Sequence, residues 1–75
     1  MKIKYDPYAD AMYIQFSNLP VKKDNEIEKD FIMDYAEDNI PVGLEILSIS
    51  KKVPKKALQS VQFELSTDEP KRLNR

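Results

Sequence analysis

Between Met1 and Leu47 the large apolar side chains fall on every second residue in four runs: Met1, Ile3 and Tyr5; Met12, Ile14 and Phe16; Phe31, Met33 and Tyr35; Val42, Leu44 and Ile46. Successive side chains of an extended chain point to opposite sides, whereas a helix repeats every 3.6 residues, so a period of two marks strands with one buried face. The intervening positions are mostly polar, among them Lys2, Lys4, Tyr13, Gln15, Asp34 and Glu45. Up to Leu47 the chain is restricted to β-structure.

The breaks between runs carry turn chemistry. Asp6-Pro7-Tyr8-Ala9-Asp10 combines a proline that fixes φ with an aspartate able to accept backbone N–H bonds, so the first two strands form a hairpin. Ser17-Asn18-Leu19-Pro20 is the next turn, and the polar stretch Val21 to Glu28 suits an edge strand, where charge discourages unwanted pairing. Lys29-Asp30 and Ala36-Glu37-Asp38-Asn39 flank the third apolar run, and Asn39 tolerates the positive φ of a tight turn. The only glycine, Gly43, stands inside the last strand, which points to a bulge or to the close approach of a backbone or ring. Pro54 suits a helix start, and Val53, Ala57, Leu58 and Val61 fall near one helical face, although Val61 to Leu65 alternates as a strand does.

The fold class that follows is α+β, mostly β: a small antiparallel β-meander of about five strands followed by one short C-terminal helix. The strands are placed at about 1–5, 11–17, 24–28, 31–36 and 41–48 and the helix at about 54–60, in a single small domain of about residues 1–65. Residues 66–75 read as a flexible tail.

Composition narrows the chemistry. The 75 residues include no cysteine and no histidine, which removes disulfides, thiolate and imidazole metal ligands, and Ser/His or Cys/His catalysis. No apolar run approaches the roughly 20 residues of a membrane span and the N-terminus lacks a signal-peptide core, so a cytoplasmic protein is expected. A domain this small has a thin core, and with no covalent staple to add, association into a homodimer is the remaining means of covering the sheet. The net charge of −1 hides an asymmetry: Asp24 to Glu45 holds eight acids and one base, net −7, and the chain beyond it seven bases and three acids, net +4.

The run Tyr5-Asp6-Pro7-Tyr8-Ala9-Asp10-Ala11-Met12-Tyr13-Ile14 resembles the opening of a family of small bacterial and archaeal proteins known as domain of unknown function 2283, whose pattern is Tyr-Asp-x-x-x-Asp-x-Leu-Tyr-Ile. Phe31-Ile32-Met33-Asp34-Tyr35 and Val42-Gly43-Leu44-Glu45-Ile46-Leu47 are similar to its second and third blocks, so the resemblance covers about Met1 to Ser50. Lys29-Asp30 and Asn39 stand where that family often has glycine, which puts the turn geometry in question. The resemblance implies a compact antiparallel sheet with a C-terminal helix and no assigned reaction. Some members resemble one half of small toxin and antitoxin modules.

The leading functional reading is a non-enzymatic protein-binding domain, an antitoxin-like half of a two-protein module, with no catalytic residue and no cofactor. Its partner-binding candidates are Tyr13, expected to point away from the apolar side, Phe63 and Leu65 in the apolar extension, and Lys71 and Arg72 in the tail. An alternative is a divalent-metal-dependent enzyme or sensor in which Asp6, Asp10, Asp34 and Glu45 converge on a hard cation; turn capping and solvation explain the same carboxylates. A further alternative is weak nucleic-acid binding through the Lys51-Lys56 cluster of Lys51, Lys52, Lys55 and Lys56. Against it stand the absence of arginine from the cluster, the acidic balance of the chain and the opposition of lysines to the dipole of a helix start.

Overall fold

The computed structural model describes residues 1–67. Lys71 and Arg72, like all of residues 68–75 of the expected tail, lie outside the described residues. Five strands form one antiparallel sheet: β1 (Lys2–Asp6), β2 (Ala11–Gln15), β3 (Lys23–Glu28), β4 (Phe31–Tyr35) and β5 (Pro41–Leu47). The mostly β, antiparallel architecture is that of the sequence reading.

Strand order differs from a simple meander. It runs β1-β2-β5-β4-β3, so the last of the described strands returns to the middle. The connection after β2 crosses to the far edge, where Lys22 N donates to the Tyr35 carbonyl at 2.7 Å, while Phe16 N extends the inner ladder by donating to Val42 O at 2.6 Å. The distribution of side chains accounts for the order. β5 is the longest strand and carries Val42, Leu44, Ile46 and Leu47, which gain most from two neighbours, whereas β3, all of whose residues are exposed, suits an edge.

Register sorts the side chains into two faces. Ile3 pairs Ile14 and Tyr5 pairs Met12; Met12 pairs Ile46 and Ile14 pairs Leu44; Phe31 and Met33 pair Ile46 and Leu44 from the other side. Because side chains alternate, these residues with Val42 and Tyr35 make one apolar face across four adjacent strands. The other face carries Lys2, Lys4 and Asp6, then Ala11, Tyr13 and Gln15, then Gly43, Glu45 and Leu47, then Ile32 and Asp34, then Asp24 and Glu26, so it is mostly polar with Ala11, Leu47 and Ile32 as its apolar members.

The core is small. Among the described residues the buried side chains are Ala11, Ala36, Val42 and Ile49, and no large one is fully enclosed. No α-helix covers the apolar face among the described residues. Where the sequence suggested a helix over residues 54–60, the chain makes a 3-10 turn at Lys55–Gln59, closed by Ala57 N on Pro54 O at 2.9 Å. Apart from the half-buried Leu58 its residues are exposed, so it lacks the buried stripe that would stabilise so short a helix. Val61 to Thr67 follows without regular secondary structure.

Glycine-poor turns are closed by polar residues in the left-handed region. Asp10, Asp30, Asp38, Asn39 and Ser48 all have positive φ, between 52° and 71°. The turns at Asp30 and Asn39 thus keep a conformation that glycine favours, and aspartate and asparagine adopt it at lower cost than most residues.

Candidate interaction surface

The hairpin opening is organised by its two aspartates. Asp6 Oδ1 accepts hydrogen bonds from Tyr8 N at 2.9 Å and Ala9 N at 3.3 Å, closing the turn from within. Asp10 reaches forward to the end of the sheet: Ser50 Oγ donates to Oδ2 at 2.7 Å, while Ser50 N at 3.1 Å and Tyr5 Oη at 3.2 Å donate to Oδ1. Ile49 N adds a bond to the Asp10 carbonyl at 3.0 Å. The chain leaving β5 is thereby clamped to the β1–β2 turn, with Ile49 buried beside it. The Ser50 hydroxyl is the main cause holding the Asp10 carboxyl below its ordinary pKa, and the bond to Asp10 adds to burial in raising the Tyr5 phenol.

On the polar face, Tyr13 lies between Lys4 and Glu45 in the cross-strand row and extends over Gly43 of β5. Its hydroxyl donates to Asp34 Oδ2 on β4 at 2.8 Å, bridging three strands. Burial pushes the Tyr13 phenol up to about 12, with the Asp34 bond and the charges of Asp34 and Glu45 adding to it. At neutral pH it is a fixed hydrogen-bond donor.

The four carboxylates considered as a metal set do not act together. Asp6 closes its turn, Asp10 holds Ser50, Asp34 receives Tyr13, and Glu45 lies in the adjoining row. Among the described residues no three acidic side chains are grouped to hold an ion. The lysine cluster is also divided. Lys52 Nζ donates to Asp30 Oδ2 at 3.0 Å and to the Leu47 carbonyl at 2.7 Å and lies 5.8 Å from the Phe31 ring centre, leaving Lys51, Lys55 and Lys56 exposed.

Of the partner-binding candidates, Tyr13 is committed to Asp34, while Phe63 and Leu65 are 78% and 74% exposed and Val61 is 65% exposed. Val61, Gln62 and Phe63 flank an open groove of about 560 Å³ whose other wall is Met1 and Ile3, beside the edge strand β1. Sequence reasoning missed the Asp10–Ser50 clamp, because 40 residues separate the two and a single sequence holds no signal for the contact.

The family model described as a protein of unknown function, DUF2283, matches residues 2–50. The chain belongs to the DUF2283 family. The DUF2283 match takes in all five strands and ends on Ser50, so it includes the clamp and leaves Val61 to Leu65 beyond it. Neither the curated proteins nor the solved structures contain a match to the chain. No helix among the described residues is long and apolar enough to cross a membrane.

Proposed function

We propose that this DUF2283 chain is a non-enzymatic protein-binding domain, working in the cytoplasm as the neutralising half of a two-protein module. The observation that carries the reading is the exposed alternation of Val61, Phe63 and Leu65 in a segment without secondary structure, beside a strand edge. Such a segment engages a partner by pairing its backbone along one of the partner's strands and placing alternate apolar side chains in pockets. Large apolar side chains held in water favour association, and the ordering of the segment limits the net affinity. The chemistry of the sheet agrees with a scaffold role: the perturbed groups Tyr5, Asp10 and Tyr13 are each engaged in internal bonds.

Co-purification from the native host tests the proposal, with the full chain compared against a variant in which Val61, Phe63 and Leu65 are replaced by serine. The expected result is a second protein recovered in fixed proportion with the natural chain and lost with the variant. Recovery of the bare chain in both cases, or equal capture by both, overturns it.

A further inference from the structure

We infer that the free edge of β1 is a strand acceptor for the chain's own Val61 to Leu65 segment, which closes onto it as a sixth, antiparallel strand with Phe63 opposite Ile3 and Glu64 opposite Lys2. The sheet has two edges, β1 and β3, and only one is fit to receive a strand. β3 is exposed along its whole length, carries Lys23, Asp24, Glu26 and Glu28, and has a bulge between Glu26 and Glu28. Charge and a bulge keep an edge from pairing. β1 instead pairs β2 residue for residue from Lys2 to Asp6 with no shift, which leaves its outer backbone groups in a regular row.

Three observations select the segment as the occupant. The first is position: Val61, Gln62 and Phe63, without secondary structure of their own, stand across an open groove of about 560 Å³ from Met1 and Ile3. The second is direction. The bond of Ser50 to Asp10 holds the departing chain at the hairpin turn where β1 ends, and by Phe63 the chain has come to Met1 and Ile3, where β1 starts, so it runs against β1. The third is chemistry. In this register Val61, Phe63 and Leu65 join Tyr5, Ile3 and Met1 on the apolar side, while Gln62 and Glu64 meet Lys4 and Lys2 on the polar side. Neither lysine has an ion pair among the described residues, and their direct partners on β2 are Tyr13 and Gln15, so Glu64 supplies the acid that this row lacks. A slip of one residue would turn Phe63 to the polar side. Closure removes from water Met1, Val61, Phe63 and Leu65, which are 65–80% exposed in the open arrangement.

The β1 edge and a partner then compete for one segment, and a partner's strand captures it only by pairing better than β1 does. That consequence rests on the proposed protein-binding function. The closure itself does not, because it is read on the chain alone and is present or absent whatever co-purifies.

Hydrogen exchange of the full chain, with no partner present, tests the closure. Alternate amides within residues 61–65 are expected to exchange about tenfold more slowly than in an unstructured chain, as in a strand that opens locally, with NMR contacts of Phe63 to Ile3 and of Glu64 to Lys2. Glu64→Lys should reduce that protection about threefold by setting like charges opposite each other, and Lys2→Glu combined with Glu64→Lys should restore it. Lys2 and Glu64 are both exposed, so the sheet is kept in each variant. Exchange at the unstructured rate throughout 61–65 overturns the inference. So does protection indifferent to Glu64→Lys, or protection that disappears on dilution and therefore belongs to contact between copies.

Discussion

Tyr13 and Gly43 fit each other as ring and gap. A Cβ at position 43 would stand 2.5 Å from Tyr13 Cζ, still closer to the hydroxyl oxygen, and 3.0 Å from the Ile14 carbonyl. Gly43 has no positive φ, so its small size, and not backbone freedom, is what the position requires. The gap lets the phenol cross the central strand to Asp34 and ties β2 to β4 over β5.

Gly43→Ala is accordingly expected to destabilise the protein by about 1–3 kcal/mol, the usual range for an extra methyl forced into a filled space. Tyr13→Ala with Gly43→Ala removes the collision, and denaturant unfolding of the four proteins should show strong non-additivity. Simple addition of the two losses would show that the ring does not occupy the gap.

Alkaline titration reads the same bridge. The Tyr13 phenol, pushed up to about 12, holds its proton more tightly in the folded protein than in the unfolded chain, where a tyrosine titrates near 10. Between those values the unfolded state binds fewer protons, so this contribution is complete below pH about 10 and is lost as pH rises through about 12. Ultraviolet absorbance titration should show the highest-pH phenol step vanish in Tyr13→Phe and persist in Tyr5→Phe. The Tyr13→Phe change itself should cost about 1 kcal/mol at neutral pH through the lost bond to Asp34.

Acid acts on the other clamp. The Asp10 carboxyl lies below its ordinary value, chiefly through the Ser50 hydroxyl, so its contribution to stability is present above the unfolded value of 3.8 and is lost as pH falls through the folded one. Ser50→Ala should move the Asp10 carboxyl back toward its ordinary value, followed by NMR titration of the side-chain carbon, and shift acid unfolding to higher pH. An unchanged Asp10 titration in Ser50→Ala would show that the clamp is not formed in solution.

The sheet was legible because every second residue from Met1 to Ile46 reports which side faces inward, and an exposed, charged β3 reports an edge. Alternation says nothing about which strand lies beside which, so the return of β5 to the centre could not be read from it. Gly43 was readable as the site of a close approach, but the ring that fills the gap was not, since Tyr13 comes from the neighbouring strand and reaches it diagonally, past its direct partner Glu45. The acidic residues show the same limit. Asp6 bonds within its own turn, a local relation that composition supports, whereas Asp10 and Asp34 find Ser50 and Tyr13 through tertiary placement. The helical pattern around Ala57 yields only a 3-10 turn because, apart from Leu58, its residues stay exposed and bury no stripe that would hold a longer helix, a property of tertiary placement and not of the segment.

The left-handed turns separate backbone strain from side-chain bonding. Ser48 has φ 52° and no capping bond from its side chain, so Ser48→Gly relieves a conformation that serine adopts poorly and keeps the Lys51 N to Ser48 O turn bond. The relief outweighs the greater freedom that glycine gives the unfolded chain, with an expected gain of about 0.5–1 kcal/mol. Asp30, at φ 71°, offers a similar relief, but its carboxylate holds Lys52 at 3.0 Å with both side chains about a quarter exposed. Losing that pair costs about 0.5–1 kcal/mol, so Asp30→Gly should leave stability nearly unchanged. Coupling the two tests isolates the ion pair: with Lys52 already replaced by methionine, Asp30→Gly should become stabilising by about the amount seen for Ser48→Gly. Equal effects of Asp30→Gly with and without Lys52 in thermal unfolding would show that the pair contributes nothing and that the positive φ alone governs the position.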